Sequence, residues 1–223
     1  MGHLQDITLR AIEVLRDVSF IAAEDTRRSR TLLSAHGLTG RLVSYHEHNE
    51  RQRTPGLLEE LLQGRSVALI SDAGSPLISD PGYHIVQAAI QEGIPIQVIP
   101  GPSSVIAALQ VAGFTADRFI FHGYAPRTSG RRERFLDEVA ADPRTQVFFE
   151  TPHRIRRTLD AMTSRFPRRD MVLCRELTKV YEETLRGTPE KILERIGERS
   201  LKGEMVLVVG PQSKEGRGRS AGS

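Results

Sequence analysis

Through the first half of the chain, short apolar runs alternate with stretches whose apolar residues recur at helical spacing. Residues 20–23, 42–45, 66–70 and 96–99 read as buried strands, and 7–15, 28–35, 83–91 and 104–112 as helices between them. A further helix is expected to start at Thr54 as N-cap, with Pro55 in its first turn, and to stop at Gly64; Asp80 and Pro81 form a similar pair ahead of helix 83–91. Such alternation predicts βαβ units and a largely parallel sheet. Beyond Gly113 the pattern changes. Gly123, Pro126, Thr128, Ser129 and Gly130 mix turn formers with arginines and put a domain boundary at 113–118. Strands follow at 119–121, 145–149, 172–175 and 205–209, and helices at 130–140, 153–165 and 189–198, while 176–184 continues as a hairpin. The expectation is therefore two α/β domains, 1–115 and 116–211, the first sheet mostly parallel and the second mixed. A Gly/Ser/Arg-rich tail, 212–223, is expected to be disordered.

Composition changes this picture little. With 223 residues, 39% hydrophobic and 26% charged, the chain is ordinary for a soluble globular protein. A single cysteine, Cys174, excludes an intrachain disulfide and a multi-cysteine zinc site. The start has no signal-peptide h-region and no apolar run reaches the length of a membrane span, so a cytoplasmic protein is expected. Charge matters more. The net charge is only +3, but cations are bunched: Arg27, Arg28 and Arg30; Arg127, Arg131, Arg132 and Arg134; Arg154, Arg156 and Arg157. Solvated helix faces explain any one cluster, whereas three in a chain with few aromatics point towards a nucleic-acid partner. Arg27 and the cluster 127–134 are the candidate phosphate contacts, which would position a nucleic acid without reading its sequence.

Two loops carry the candidate chemistry. Strand 66–70 runs into SDAGSPLISDPG at 71–82, and strand 96–99 into PGPSS at 100–104, each followed by a helix. Ligands of open parallel sheets gather outside the carboxyl ends of strands, where amides and helix N-termini collect. Neither loop has the lysine of a P-loop or the spacing of a dinucleotide fingerprint, and HEH at 46–48 lacks the i, i+4 spacing of a zinc helix. The groups offered are amides, small hydroxyls and carboxylates. They suit a ligand with a sugar, an amino-acid end and a positive centre.

With these loops, AEDTR (23–27), HEHNE (46–50), FETPHR (149–154), RELTK (175–179) and KGEMV (202–206) occur in the order found in one family. The chain resembles the tetrapyrrole-methylase-like S-adenosylmethionine (SAM) methyltransferases up to about residue 209. It is most similar to the branch that methylates a cytidine ribose of 16S ribosomal RNA, at cytidine 1402 of the decoding region. The resemblance implies two α/β domains with SAM in a cleft between them, a homodimer, and 16S RNA of the small ribosomal subunit as partner. It implies cofactor contacts from Asp72, Ala73, Gly74, Ser75, Pro76, Ile78, Ser103 and Ser104, and from Phe149, Glu150, Thr151, Gly203, Glu204 and Met205. No metal is implied. Family members begin with a buried strand and a turn, of which GHLQD (2–6) matches only the end; an upstream start is expected.

Methyl transfer to a ribose hydroxyl needs alignment and a base. Asp25, His46 and Glu150 are the candidate catalytic residues, with His48, His153, Glu176 and Lys179 as further titratable groups near the same motifs; spacing does not choose among them. Two other readings use the same fold. One is C-methylation of a tetrapyrrole (corrinoid), against which the arginines argue. The other is an RNA-binding relic without SAM, should the chain truly start at Met1.

Overall fold

Phe20, Ile21, Ala22 and Ala23 are all buried, and this run of side chains, apolar on both faces, forms the central strand of a three-stranded sheet. The computed structural model describes residues 2–72 and 74–212. After a 3-10 turn at Leu4–Asp6, the order is α1 (Leu9–Asp17), β1 (Phe20–Ala23), α2 (Thr26–Ala35), β2 (Leu42–Ser44), α3 (Glu50–Leu62), β3 (Val67–Ile70) and α4 (Tyr83–Gln91). Then come α5 (Ser104–Ala112), β4 (Phe119–Tyr124), α6 (Ser129–Ala141), β5 (Thr145–Glu150), α7 (Ile155–Arg165), β6 (Met171–Arg175), β7 (Glu183–Gly187), α8 (Pro189–Ile196) and β8 (Met205–Val209). The chain forms two compact units that divide between Ser103 and Ser104.

In the first unit β2, β1 and β3 pair in that order and all in parallel. Leu15, Ile21, Leu33 and Leu38 fill one side, and Ala22, Tyr45, Leu57 and Ile85 the other. In the second unit the order is β4-β5-β8-β6-β7; β4 and β5 are parallel and the other pairs antiparallel. Its core gathers Leu136, Phe148, Ile155, Leu159, Met162, Leu173, Ile192 and Leu207. The expected α/β class, a parallel first sheet, a mixed second one and the 176–184 hairpin are all present.

Four local expectations are corrected. Thr54 does not cap α3; the helix begins at Glu50 and carries Pro55 inside it. Thr54 instead turns its hydroxyl to the Glu50 carbonyl at 2.7 Å and to the buried Tyr45 hydroxyl at 2.9 Å. Gly82, at φ 137°, is the N-cap of α4 in place of Asp80. A Cβ there would collide with Leu69 and Leu77, so only glycine suits the position. Residues 96–99 form no strand, because a strand exists only with a ladder partner. The Val98 and Pro100 carbonyls accept side-chain bonds from Arg10 and Thr8, both at 3.4 Å, and Ile96 and Val98 are exposed. Finally, the units divide ahead of the expected 113–118 boundary, since α5 packs on β8 and also touches β5 and β6. The expected tail, 212–223, lies outside the described residues except for Gln212. Gln212 itself is anchored to the Pro143 and Ala140 carbonyls.

Candidate functional site

Parallel pairing brings the carboxyl ends of β2, β1 and β3 side by side, and polar residues follow each one. Asp25 leaves β1 and caps α2, accepting the Arg27 amide at 2.8 Å and its guanidinium at 3.1 and 2.9 Å. These bonds from Arg27 pull the Asp25 carboxyl down to about 2. A carboxylate so stabilised is a feeble proton acceptor at neutral pH. Asp72, leaving β3, accepts the Asp25 amide at 3.0 Å and lies 3.5 Å from the Arg28 guanidinium, which crosslinks the two strand ends. Ala73 lies outside the described residues.

Two buried polar atoms at these strand ends have no partner among the described residues: Ser71 Oγ after β3 and His46 Nδ1 after β2. Buried polar atoms are nearly always paired, so each has a hydrogen bond left for a ligand. His46 is positioned from behind by its own amide, which donates to Asn49 Oδ1 at 2.8 Å, and Asn49 in turn donates to the Ser44 carbonyl. The 74–82 loop is wound tightly. Leu77 and Ser79 take φ of 71° and 63°, and the Ile78 amide closes a turn onto the Ser75 carbonyl at 3.1 Å. Glu50 pins its end by accepting the Gly82 amide at 3.1 Å. Positive φ at non-glycine residues costs on the order of 1–3 kcal/mol each and persists where surroundings over-determine it, commonly at ligand-binding loops. Pro76 is half-buried and Ile78 exposed on this loop, while Ser103 closes the first unit.

The second unit assembles its own cluster at one end of its sheet. Glu150 at the end of β5 faces Met205 at the start of β8, which also faces Arg175 at the end of β6. Thus Phe149, Glu150, Thr151, Gly203, Glu204 and Met205 come together; Ser104 opens α5 in the same unit. Glu150 is 3% exposed, and its oxygens are committed: Thr151 amide at 2.8 Å, Arg154 guanidinium at 2.8 Å, Thr158 hydroxyl at 2.6 Å. This is a structural ion pair. Glu176 and Thr178 hold φ of 52° and 66°. Burial works against the Glu176 charge, but the Glu204 amide and Lys179, each at 2.9 Å, outweigh it and keep the carboxyl below its usual range. Gly203 is required beside it, since a Cβ would overlap the Glu176 side chain.

Arg127, Arg131 and Arg134 are exposed around the start of α6, with Arg132 partly covered. None of the four makes an ion pair among the described residues; Arg132 donates to the Arg127 carbonyl at 3.4 Å and keeps a buried Nε without a partner. Arg27 is 86% exposed at its side chain despite its pairing with Asp25. Sequence reasoning missed Thr158 and Arg154 as the partners of Glu150. The E-T-x-x-R spacing was the available signal for Arg154, being i, i+4 from Glu150 at a strand–helix junction.

Residues 1–193 match the family model of Tetrapyrrole (Corrin/Porphyrin) Methylases. The chain belongs to this family. As the motifs implied, it is a family of SAM-dependent methyltransferases. Among curated methylases, the chain is 44% identical to Ribosomal RNA small subunit methyltransferase I of Halalkalibacterium halodurans over 94% of its own length and 72% of the relative's. It is 45% identical to the protein of the same name from Escherichia coli O157:H7, over 94% and 74% of the two lengths. Among solved structures, cobalt precorrin-4 methyltransferase superposes with a TM-score of 0.72 at 16% identity, covering 94% of this chain and 90% of that one. Uroporphyrin-III C-methyltransferase from Thermus thermophilus, solved with S-adenosyl homocysteine, gives 0.64 at 18% identity over 92% and 91%. These two share the methylase fold.

Proposed function

We propose that the chain catalyses SAM-dependent methylation of 16S ribosomal RNA, at the ribose 2'-hydroxyl of the decoding-region cytidine. The observation that carries this reading is 44–45% identity, spanning both units, to relatives named as small-subunit ribosomal RNA methyltransferases. Likeness to the tetrapyrrole enzymes stops at the fold. The unpaired arginines of α6 support a polyanionic substrate.

SAM, when bound, supplies a methyl group on a positively charged sulfur. Ser71, Asp72, Gly74, Ser75, Pro76, Ile78 and Ser103 are the candidate SAM contacts in the first unit; the candidates in the second, taken by itself, are Ser104, Phe149, Glu150, Thr151, Gly203, Glu204 and Met205. The orphaned Ser71 hydroxyl fits this assignment, as does the absence of a lysine from 71–82, since a cationic ligand calls for no further cation. His46 is the group we assign to accept the hydroxyl proton. Asp25 and Glu150 are each engaged by an arginine, whereas His46 Nδ1 is buried with no hydrogen-bond partner among the described residues. Arg27, Arg127, Arg131, Arg132 and Arg134 would contact phosphates.

The test uses small ribosomal subunits that lack the modification, incubated with the protein and methyl-labelled SAM. Label at the 2'-oxygen of the cytidine is expected; label on a base, on ribosomal protein, or nowhere refutes the reading. His46→Ala is expected to lower turnover by ~10²–10⁴-fold with SAM affinity retained.

A further inference from the structure

The second unit presents an exposed aromatic beside its free arginines, and three features hold it there. Tyr124 ends β4, where the parallel register with β5 slips between Phe121 and Tyr124. Gly123 takes φ 65° within that irregularity. Bulges of this kind re-aim the side chain that follows them, and Tyr124 is 54% exposed whereas Ala125 beside it is 1% exposed. The backbone just past the ring is pinned: the Ala125 amide donates to the Phe149 carbonyl at 3.2 Å, and Arg154 donates to the Ala125 carbonyl at 3.0 Å. The Phe149 ring then backs Tyr124 at 5.2 Å and 59°, itself braced edge-on by Phe121 at 5.1 Å. Tyr124 is thus an aromatic ring on a fixed backbone, supported by a second ring and open to solvent.

Three residues further on, within about 11 Å of chain, Arg127 begins the group completed by Arg131, Arg132 and Arg134. A ring face next to uncompensated guanidinium groups matches a single-stranded polynucleotide, whose bases stack on aromatics while its phosphates take the cations. We infer that Tyr124 stacks on a nucleobase of the RNA strand whose phosphates are held by Arg127, Arg131 and Arg132. This deepens, and rests on, the RNA-methylation reading. A nucleotide drawn from its stack to expose its ribose loses base–base contact, and an aromatic platform restores part of it.

The experiment measures binding of fluorescently labelled oligocytidylate to the full chain by anisotropy across a salt series. Tyr124→Ala is expected to weaken binding by about 5- to 100-fold, with the slope against log salt unchanged because no phosphate contact is lost. Tyr124→Phe is expected to bind like wild type, and Tyr124→Leu, which keeps apolar area without a π face, like Tyr124→Ala. Should the alanine variant fold poorly, the Phe–Leu comparison carries the test alone. Equal binding by the Phe and Leu variants, or full binding by Tyr124→Ala, overturns the inference while leaving RNA methylation standing. Failure of wild type to bind at low salt overturns the RNA reading itself.

Discussion

Substituting Glu150 separates a structural carboxylate from a chemical one. Its side chain is 1% exposed and takes three donors: Arg154 at 2.8 Å, the Thr151 amide at 2.8 Å and the Thr158 hydroxyl at 2.6 Å. Breaking a buried pair by removing one partner costs ~3–5 kcal/mol, since the other charge is left uncompensated. Arg154 is 19% exposed at its side chain and keeps the Ala125 carbonyl and Thr151 hydroxyl, which pulls Glu150→Ala to the lower end of that range. Thr158, fully buried, loses its acceptor. Glu150→Ala should therefore cost about 3–4 kcal/mol. Glu150→Gln keeps the shape but sets an amide NH₂ against a donor, and should cost about 1–3 kcal/mol. The assay is urea unfolding followed by circular dichroism. At slopes of roughly 1–3 kcal/mol/M, Glu150→Ala lowers the midpoint by about 1–4 M for the transition of the second unit. If Glu150→Gln leaves that midpoint unmoved yet abolishes methyl transfer, Glu150 is chemical and the structural account is refuted.

Three further outcomes follow from the same geometry. Arg131→Ala with Arg132→Ala is expected to weaken RNA binding and reduce its salt slope by about 2, with SAM affinity unchanged; an unchanged slope removes both from the RNA surface. Arginines hold the carboxyls of Asp25 and Asp142 at about 2. That is below the ordinary aspartate value of about 4, so their stabilisation is complete above about pH 4 and disappears as pH falls through 2. Asp142→Asn should flatten the acid limb of the stability profile over that window, and an unaltered limb contradicts the Asp142–Arg144 assignment. Burial pushes the Cys174 thiol up to about 11, so a thiol-reactive dye at pH 8 should label it only after denaturation; prompt labelling of the folded chain is the contrary result.

The elements that depend on local pattern were legible, and those that depend on a partner elsewhere were not. β1 and β8 are apolar at every position and buried throughout, which a run of four or five such residues announces on its own. Residues 96–99 are just as apolar, but no ladder partner lies beside them among the described residues, and pattern cannot supply one. Thr54-Pro55 reads as a helix start because each residue favours one. The Tyr45 hydroxyl, nine residues away, redirects the threonine and lets the helix begin earlier. In the site, strand-end positions were legible from the break between apolar run and polar loop; which of Asp25, His46 and Glu150 is left with an unpartnered buried atom was not. That depends on Arg27, Asn49 and Thr158, whose side chains meet them only after folding.

Arginine shows the same distinction most sharply, and it bears on which cations are free to meet a phosphate. Arg169 stands in the polar run PRRD and is nevertheless only 7% exposed. It donates to the Gly210, Val139, Asp142 and Arg144 carbonyls at 2.6–2.9 Å, tying the end of α6 to the start of β5 and the end of β8. Arg154 likewise spends its donors on Glu150, Thr151 and Ala125. A guanidinium whose donors are already satisfied inside its own unit gains little from a phosphate and would have to abandon those bonds to reach one. Arg127 and Arg131 have no such commitments among the described residues. They follow Tyr124 in the chain, whose neighbour Ala125 is held by Arg154, so on the proposed reading the half-buried arginine would steady the ring and the exposed ones would meet the strand.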